Sequence, residues 1–222
     1  TQGVPAYAFH SNGSADTGVA LADVPVLGPE VQALHFGSYS IAVPPVADAL
    51  AKLAADNAER FISLDPNIRP TVEPDMEVWK ARIQAFFPAV DLVKISAEDL
   101  EVLHPGVSAE AYASGAIGAG ARMVVVTDGG DTVRAWTATG LEAAATPPTI
   151  DVVDTVGAGD TFQACLLSRL AEKGDMSAAI DALGVADLAD LLHICAAAAA
   201  LTSTRRGADL PRRADLEAYL ET

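Results

Sequence analysis

From about Val31 to Thr127 short apolar runs alternate with longer amphipathic ones, a pattern that predicts strands joined by crossover helices in a mostly parallel sheet. Strands are expected at 33–37, 60–64, 92–95 and 123–127, each apolar and bounded by turn or polar residues. Helices fill the gaps at 46–57, 74–87, 97–103 and 109–120. Pro44-Pro45 and Pro74 stand at helix entries, where a missing N–H costs nothing. After Thr127 the texture changes: 133–137 and 141–145, with Gly140 between them, predict an antiparallel hairpin at the sheet edge. Further helices are expected at 158–172, 188–204 and 214–220. Residues 196–200 are all alanine, apolar on every face, and should be buried in close packing. Residues 7–23, with Asn12-Gly13, read as strand and turn outside the main sheet. There is no internal repeat and no linker long enough to force a domain boundary.

Half of the 222 residues are hydrophobic and the mean hydropathy is +0.27, enough for a substantial core. With 14 Lys and Arg against 30 Asp and Glu, the net charge is −16, which argues against a nucleic-acid partner. The longest apolar stretch, 194–201, falls short of the roughly 20 residues of a membrane span, so no membrane helix is expected. The start of the chain has no charged-then-apolar leader. Cys165 and Cys195 sit in helical apolar contexts rather than at a metal-ligand spacing, which fits a reducing, cytoplasmic setting.

The richest chemistry lies in Asp154-Thr155-Val156-Gly157-Ala158-Gly159-Asp160-Thr161-Phe162, which follows a β-like run and opens an amphipathic helix. Small residues there let a ligand approach the backbone. The free N–H groups and positive dipole end of the helix suit an oxyanion or phosphate. Asp160, in the first turn, is placed to take a proton from a hydroxyl while the amides stabilise a transferring phosphoryl group. The bland alternative is that Asp160 caps its helix and the glycines make a tight turn. The segment is not a Walker loop, since no Gly-x-x-x-x-Gly-Lys-Ser/Thr occurs, nor a dinucleotide fingerprint, since Phe162 replaces the third glycine.

This nine-residue signature resembles that of the ribokinase-like (pfkB) sugar kinases. The resemblance implies that Gly157, Ala158 and Gly159 form an anion hole and that Asp160 is the catalytic base, also touching the substrate. It extends from Tyr7-Ala8-Phe9 through Arg205-Arg206-Gly207-Ala208. Pro5 to Phe9 and Asn12 to Asp16 look like the lid of bacterial fructokinases, with Tyr7 toward the sugar. Gly37-Ser38 and Asp65-Pro66-Asn67-Ile68-Arg69 resemble the same subgroup, with Asn67 and Arg69 as substrate-binding residues. An Asp-Pro turn with an exposed arginine is an equal local reading.

The resemblance also implies ATP and Mg²⁺ as cofactors. Ser96 and Asp99 occupy the family's Asn-x-x-Glu positions, so Ser96 would serve the nucleotide and Asp99 would hold Mg²⁺ through water. A plain helix cap by Ser96 accounts for it locally. Thr127 and Gly129 match the nucleotide loop, whose usual second glycine is Thr132 here. Cys195 stands where a polar residue often lies beside the adenine, and Gly207 where the nucleotide side closes. Asp154 corresponds to a monovalent-cation position, which leaves K⁺ open beside the reading that it orders its turn.

The expected fold is thus α/β and ribokinase-like: a mostly parallel central sheet flanked by helices, with a small β lid. Residues 1–25 would be part of the lid and 26–222 the α/β nucleotide- and substrate-binding domain; the leading strands of the sheet have no counterpart in the chain. The implied activity is ATP-dependent phosphorylation of a sugar hydroxyl, with fructose first and 2-keto-3-deoxygluconate second. Thr1 to Asp23 holds no Lys or Arg, which favours a neutral sugar. Other family sugars and a non-catalytic sugar or nucleotide sensor remain as rivals. The partners are a small sugar and ATP, and the lid admits a homodimer.

Overall fold

The computed structural model describes residues 13–221. Strands β1 (Ala33–Gly37), β2 (Phe61–Asp65), β3 (Leu92–Ser96), β4 (Met123–Thr127), β5 (Val133–Thr137) and β6 (Glu142–Ala145) are hydrogen-bonded in that order. Helices α1 (Val46–Ala55), α2 (Met76–Phe86), α3 (Ala97–Leu103) and α4 (Ala109–Gly118) alternate with the first four strands. Helices α5 (Ala158–Ala171), α6 (Met176–Asp181), α7 (Val185–Ser203) and α8 (Arg213–Leu220) follow β6. β1 and β3 both pair parallel to β2, with Gly37 opposite Asp65 and Leu64 opposite Val93. The short connections 128–132 and 138–141 suit only antiparallel neighbours, so β4, β5 and β6 form the expected meander at one end of the strand order.

The residues fall into two compact units. One runs up to Val126 and adds Trp136–Thr139; the other comprises Thr127–Ala135 and Gly140 onward. In the first, β2 is buried at every position, as a central parallel strand covered on both faces must be. Its core joins Ile62, Leu64, Val93, Ile95 and Val124 to Trp79, Ile83 and Phe86 of α2. The buried Trp79 finds an acceptor for its indole N–H in the Glu73 carbonyl, 2.9 Å away. Asp91, just before β3, accepts from Ile62 N–H (2.9 Å) and from Arg122 Nε (2.9 Å), and its carbonyl takes the Arg122 and Met123 N–H groups. One residue thereby fixes strand β3 against the entries of β2 and β4.

In the second unit α7 packs against α5 and β6, and Ala196, Ala197, Ala198 and Ala200 are buried, as the all-round apolar sequence requires. By length and composition alone α7 is long and apolar enough to cross a membrane, a test that a mostly buried core helix passes equally. The buried hydroxyls of Thr161 and Thr202 meet at 2.8 Å and join α5 to α7.

Several boundaries move. β2 ends at Asp65, one residue later than expected, and α7 begins at Val185. α6 was not expected at all; Asp175 caps it by accepting the Ala178 N–H at 3.0 Å. Of the expected lid, residues 13–25 form turns and one 3-10 turn, Leu21–Asp23, with no strand among them. Tyr7 and its strand lie outside the described residues, and so does any dimer contact made through them.

Gly37 needs to be glycine because a Cβ there would overlap the Asp65 carbonyl oxygen across the β1–β2 pair. Gly37→Ala should therefore lower stability by about 1–3 kcal/mol, as overpacking does, read as an earlier midpoint in urea unfolding.

Candidate active site

The second unit contains the turn that the sequence singled out. Gly157 is the N-cap of α5 with φ of 81°, a left-handed conformation that glycine adopts without strain. The Ala158 N–H bonds to Thr155 O, and the Thr161 N–H and hydroxyl both bond to Gly157 O at 2.8 Å. Helix geometry leaves the Gly159 and Asp160 N–H groups without an intrahelical acceptor. Both residues are exposed. Asp160 makes no capping bond: the cap residue is Gly157, without a side chain. The helix-cap alternative for Asp160 therefore finds no support.

Beside this turn lies a cavity of about 210 Å³. Ala158, Gly159 and Phe162 of α5 line one side, and Thr127, Gly129 and Gly130 another. Four expected site residues, Thr127, Gly129, Ala158 and Gly159, thus share one cavity. Gly129 has φ of 51°, and Gly130 lines the cavity beside it, whereas Thr132 does not. The remaining wall is apolar: Pro147, Pro148, Ile150 and Val152 face Ala196, Ala199 and Ala200 of α7. That wall escaped the sequence reading, although alanines at 196, 199 and 200 with Ser203 one turn on trace a helical stripe.

Cys195, expected at the nucleotide, does not line the cavity. It is fully buried, and its thiol is pushed well up by burial and by the neighbouring Cys165. One helical step separates it from the lining residue Ala196.

Asp154 ties two turns together: one oxygen accepts Val156 N–H at 3.1 Å, the other Gly207 N–H at 2.9 Å. These donors, Val156 first, hold its carboxyl below the ordinary range. Gly207 enters the site in this way, as a backbone partner of Asp154. Because both oxygens already serve amides, the arrangement fits the turn-ordering reading better than a K⁺ ligand, and no step is derived through K⁺.

The first unit carries a separate polar cluster at the carboxyl ends of its parallel strands, where open α/β sheets place their ligands. Asp65 Oδ2 meets Lys94 Nζ at 2.7 Å with both side chains about 6% exposed. Asp65 Oδ1 and the Tyr112 hydroxyl are buried without a partner. Burial, then the charges of Asp65 and Asp99, raise the Tyr112 hydroxyl. Asn67 follows at φ of 42°, and Arg69 bonds the Ile68 carbonyl at 2.9 Å. The Ser96 hydroxyl accepts Asp99 N–H at 3.0 Å and is the N-cap of α3, so the structure gives it the local role.

Asp99 Oδ1 accepts the Ile68 N–H at 3.2 Å. Burial raises the Asp99 carboxyl to about 6, against a smaller lowering by the Ser96 hydroxyl. Among the described residues no group of three or more His, Cys, Asp or Glu gathers to hold a metal directly. The Asp99 carboxylate, already bonded to the Ile68 N–H, fits at most a hydrated Mg²⁺ held through water.

The chain belongs to the pfkB family carbohydrate kinases, which it matches over residues 9–215. Among individual relatives it is 39% identical to a fructokinase of Rhizobium leguminosarum bv. trifolii over 171 residues, covering 76% of this chain and 52% of the relative. It is 28% identical to fructokinase-1 of Oryza sativa subsp. japonica over 221 residues, covering 97% of this chain and 67% of the relative. The fructokinase of Vibrio cholerae O395, solved with fructose, ADP and calcium bound, superposes with a TM-score of 0.78 at 29% identity over 93% of this chain and 66% of that one. The ATP-bound fructokinase of Xylella fastidiosa gives 0.77 at 25% identity, covering 86% of this chain and 61% of that one. The chain thus spans about half the length of the Rhizobium relative.

The raised Asp99 carboxyl fixes a pH dependence. The folded state holds this proton more tightly than the unfolded chain, so its contribution to stability is full below about pH 4 and lost as pH rises through about 6. In metal-free buffer Asp99→Asn should be more stable than the parent by about 2 kcal/mol at pH 7.5. The gain should vanish below about pH 4 in urea titrations.

Proposed function

We propose that the chain carries the nucleotide site and catalytic base of an ATP-dependent kinase that phosphorylates a hydroxyl of a small neutral sugar, with fructose as the acceptor. The observation that carries this reading is the N-terminal turn of α5: uncommitted amides and an exposed carboxylate share one turn at the mouth of a cavity. The named fructokinases among the relatives support the sugar, and the ATP- and ADP-bound structures support the nucleotide.

In this mechanism the apolar wall receives the base, and Thr127 and Gly129 meet the ribose and phosphates. The Gly159 and Asp160 N–H groups stabilise charge on the γ-phosphoryl as it transfers. Asp160 takes the proton from the attacking hydroxyl, being exposed and unencumbered by a capping bond. Asn67 and Arg69 bind the acceptor. Asp99 would hold Mg²⁺ through a water, and the ion would supply charge neutralisation to the nucleotide's phosphates. Both cysteines are free thiols, in keeping with a reducing cytoplasm.

The test is ATP turnover against fructose, 2-keto-3-deoxygluconate and ribose. Fructose-dependent ADP release should fall by about 10²–10⁴-fold in Asp160→Asn, while calorimetry shows ATP still bound. Undiminished turnover in that variant sinks the mechanism, and ATP binding without turnover on any sugar makes the protein a sensor.

A further inference from the structure

Asp99 stands three residues after the N-cap Ser96, the position from which an acidic side chain in a capping box turns back to its own helix. Here one carboxylate oxygen reaches instead to a residue far off in sequence, the Ile68 N–H. That amide lies in the loop after β2, several of whose backbone groups have partners. Asp65, where it starts, is paired with Lys94 on β3. The Pro66 carbonyl accepts the Ser38 N–H at 3.0 Å. Asn67 is left-handed, a conformation that asparagine tolerates better than most non-glycine residues. The Ile68 side chain is buried, and its carbonyl accepts the Arg69 guanidinium.

The Ile68 residue is therefore gripped on both sides. Asp99 takes its N–H, and Arg69 folds back onto its C=O. Rotation of the Asn67–Ile68 peptide would break the first bond and change both ψ of Asn67 and φ of Ile68, while the Ile68 carbonyl that Arg69 bonds lies in the next peptide.

We propose that Asp99 is the positioning residue of this loop: by accepting the Ile68 N–H it fixes the peptide that sets the Asn67 and Arg69 side chains for the acceptor. The proposal rests on the kinase reading for what Asn67 and Arg69 bind, but not for the clamp itself. It separates two demands on one carboxylate. The clamp needs an acceptor oxygen and no charge, so asparagine can supply it and alanine cannot. A water-mediated metal role needs the charge, which neither substitute has.

The experiment compares Asp99→Ala and Asp99→Asn in the full chain, reading hydrogen exchange at the Ile68 amide by NMR and the steady-state KM for fructose and for ATP at saturating Mg²⁺. In Asp99→Ala the Ile68 amide should exchange at least tenfold faster while amides in β2 keep their protection. Its fructose KM should rise at least tenfold, while any rise in the ATP KM from the lost metal-holding charge should be equal in Asp99→Asn. Asp99→Asn should recover at least fivefold of the lost fructose KM and most of the Ile68 protection. Unchanged Ile68 exchange in Asp99→Ala overturns the proposal. So does an Asp99→Asn variant no better than alanine in fructose KM, which would assign the effect to charge. If the parent chain turns over no sugar, the kinase reading fails on that result alone, and Ile68 exchange still decides the clamp.

Discussion

Asp65 and Lys94 sit 2.7 Å apart in an interior where β2, β3 and β4 admit almost nothing else that is charged. Removing either partner would strand a charge in low dielectric at a cost of about 3–5 kcal/mol, so the two strands must be held in the register that keeps the pair closed. The same register brings Gly37 against the Asp65 carbonyl and directs the loop after β2 toward the start of α3. Much of the first unit's polar chemistry follows from this one constraint. Strands buried on both faces can expose functional groups only where they end.

The second unit solves a different problem with different means. Its ligand-facing groups are mostly backbone and methyl, and order comes from side chains that serve the backbone. Asp154 spends both oxygens on amides of two turns, and the Thr161 hydroxyl accounts for the Gly157 carbonyl while meeting Thr202. The turn is thereby rigid without any side chain intruding on the space before it. A carboxylate at the end of such a turn is free of structural duty, which distinguishes Asp160 from Asp154, only six positions earlier, and from Asp99.

Much of this was legible in the chain. Apolar runs flanked by turn residues located β1 to β4 within a residue, because burial on both faces leaves little room for other patterns. The α5 turn was legible because Gly157-Ala158-Gly159 has few other uses before a helix. What was lost depended on which face of a helix meets what. The alanine stripe of α7 and the buried thiol of Cys195 share one apolar segment, and hydropathy alone does not separate cavity wall from core. The sequence reading already offered a helix cap for Ser96, which the hydrogen-bond geometry matches, but it had no signal for the bond that Asp99 accepts from Ile68. That partner is thirty-one positions away and lies outside any local motif. α6 went unread since it has only six residues, too few for a periodic signal.

The wall that α7 offers to the cavity is built from the methyl groups of Ala196, Ala199 and Ala200, with Ser203 at its end. Its methyl part has no hydrogen bonds to break and no charge to rebalance, so its contour can be recut one carbon at a time. Enlarging one alanine would narrow the slot, and shaving one to glycine would deepen it at about 1 kcal/mol of helix propensity. The turn of α5 belongs to another element and would keep its shape. The fold thus separates the wall that shapes what enters from the turn beside it, so that either can be recut while the other stands.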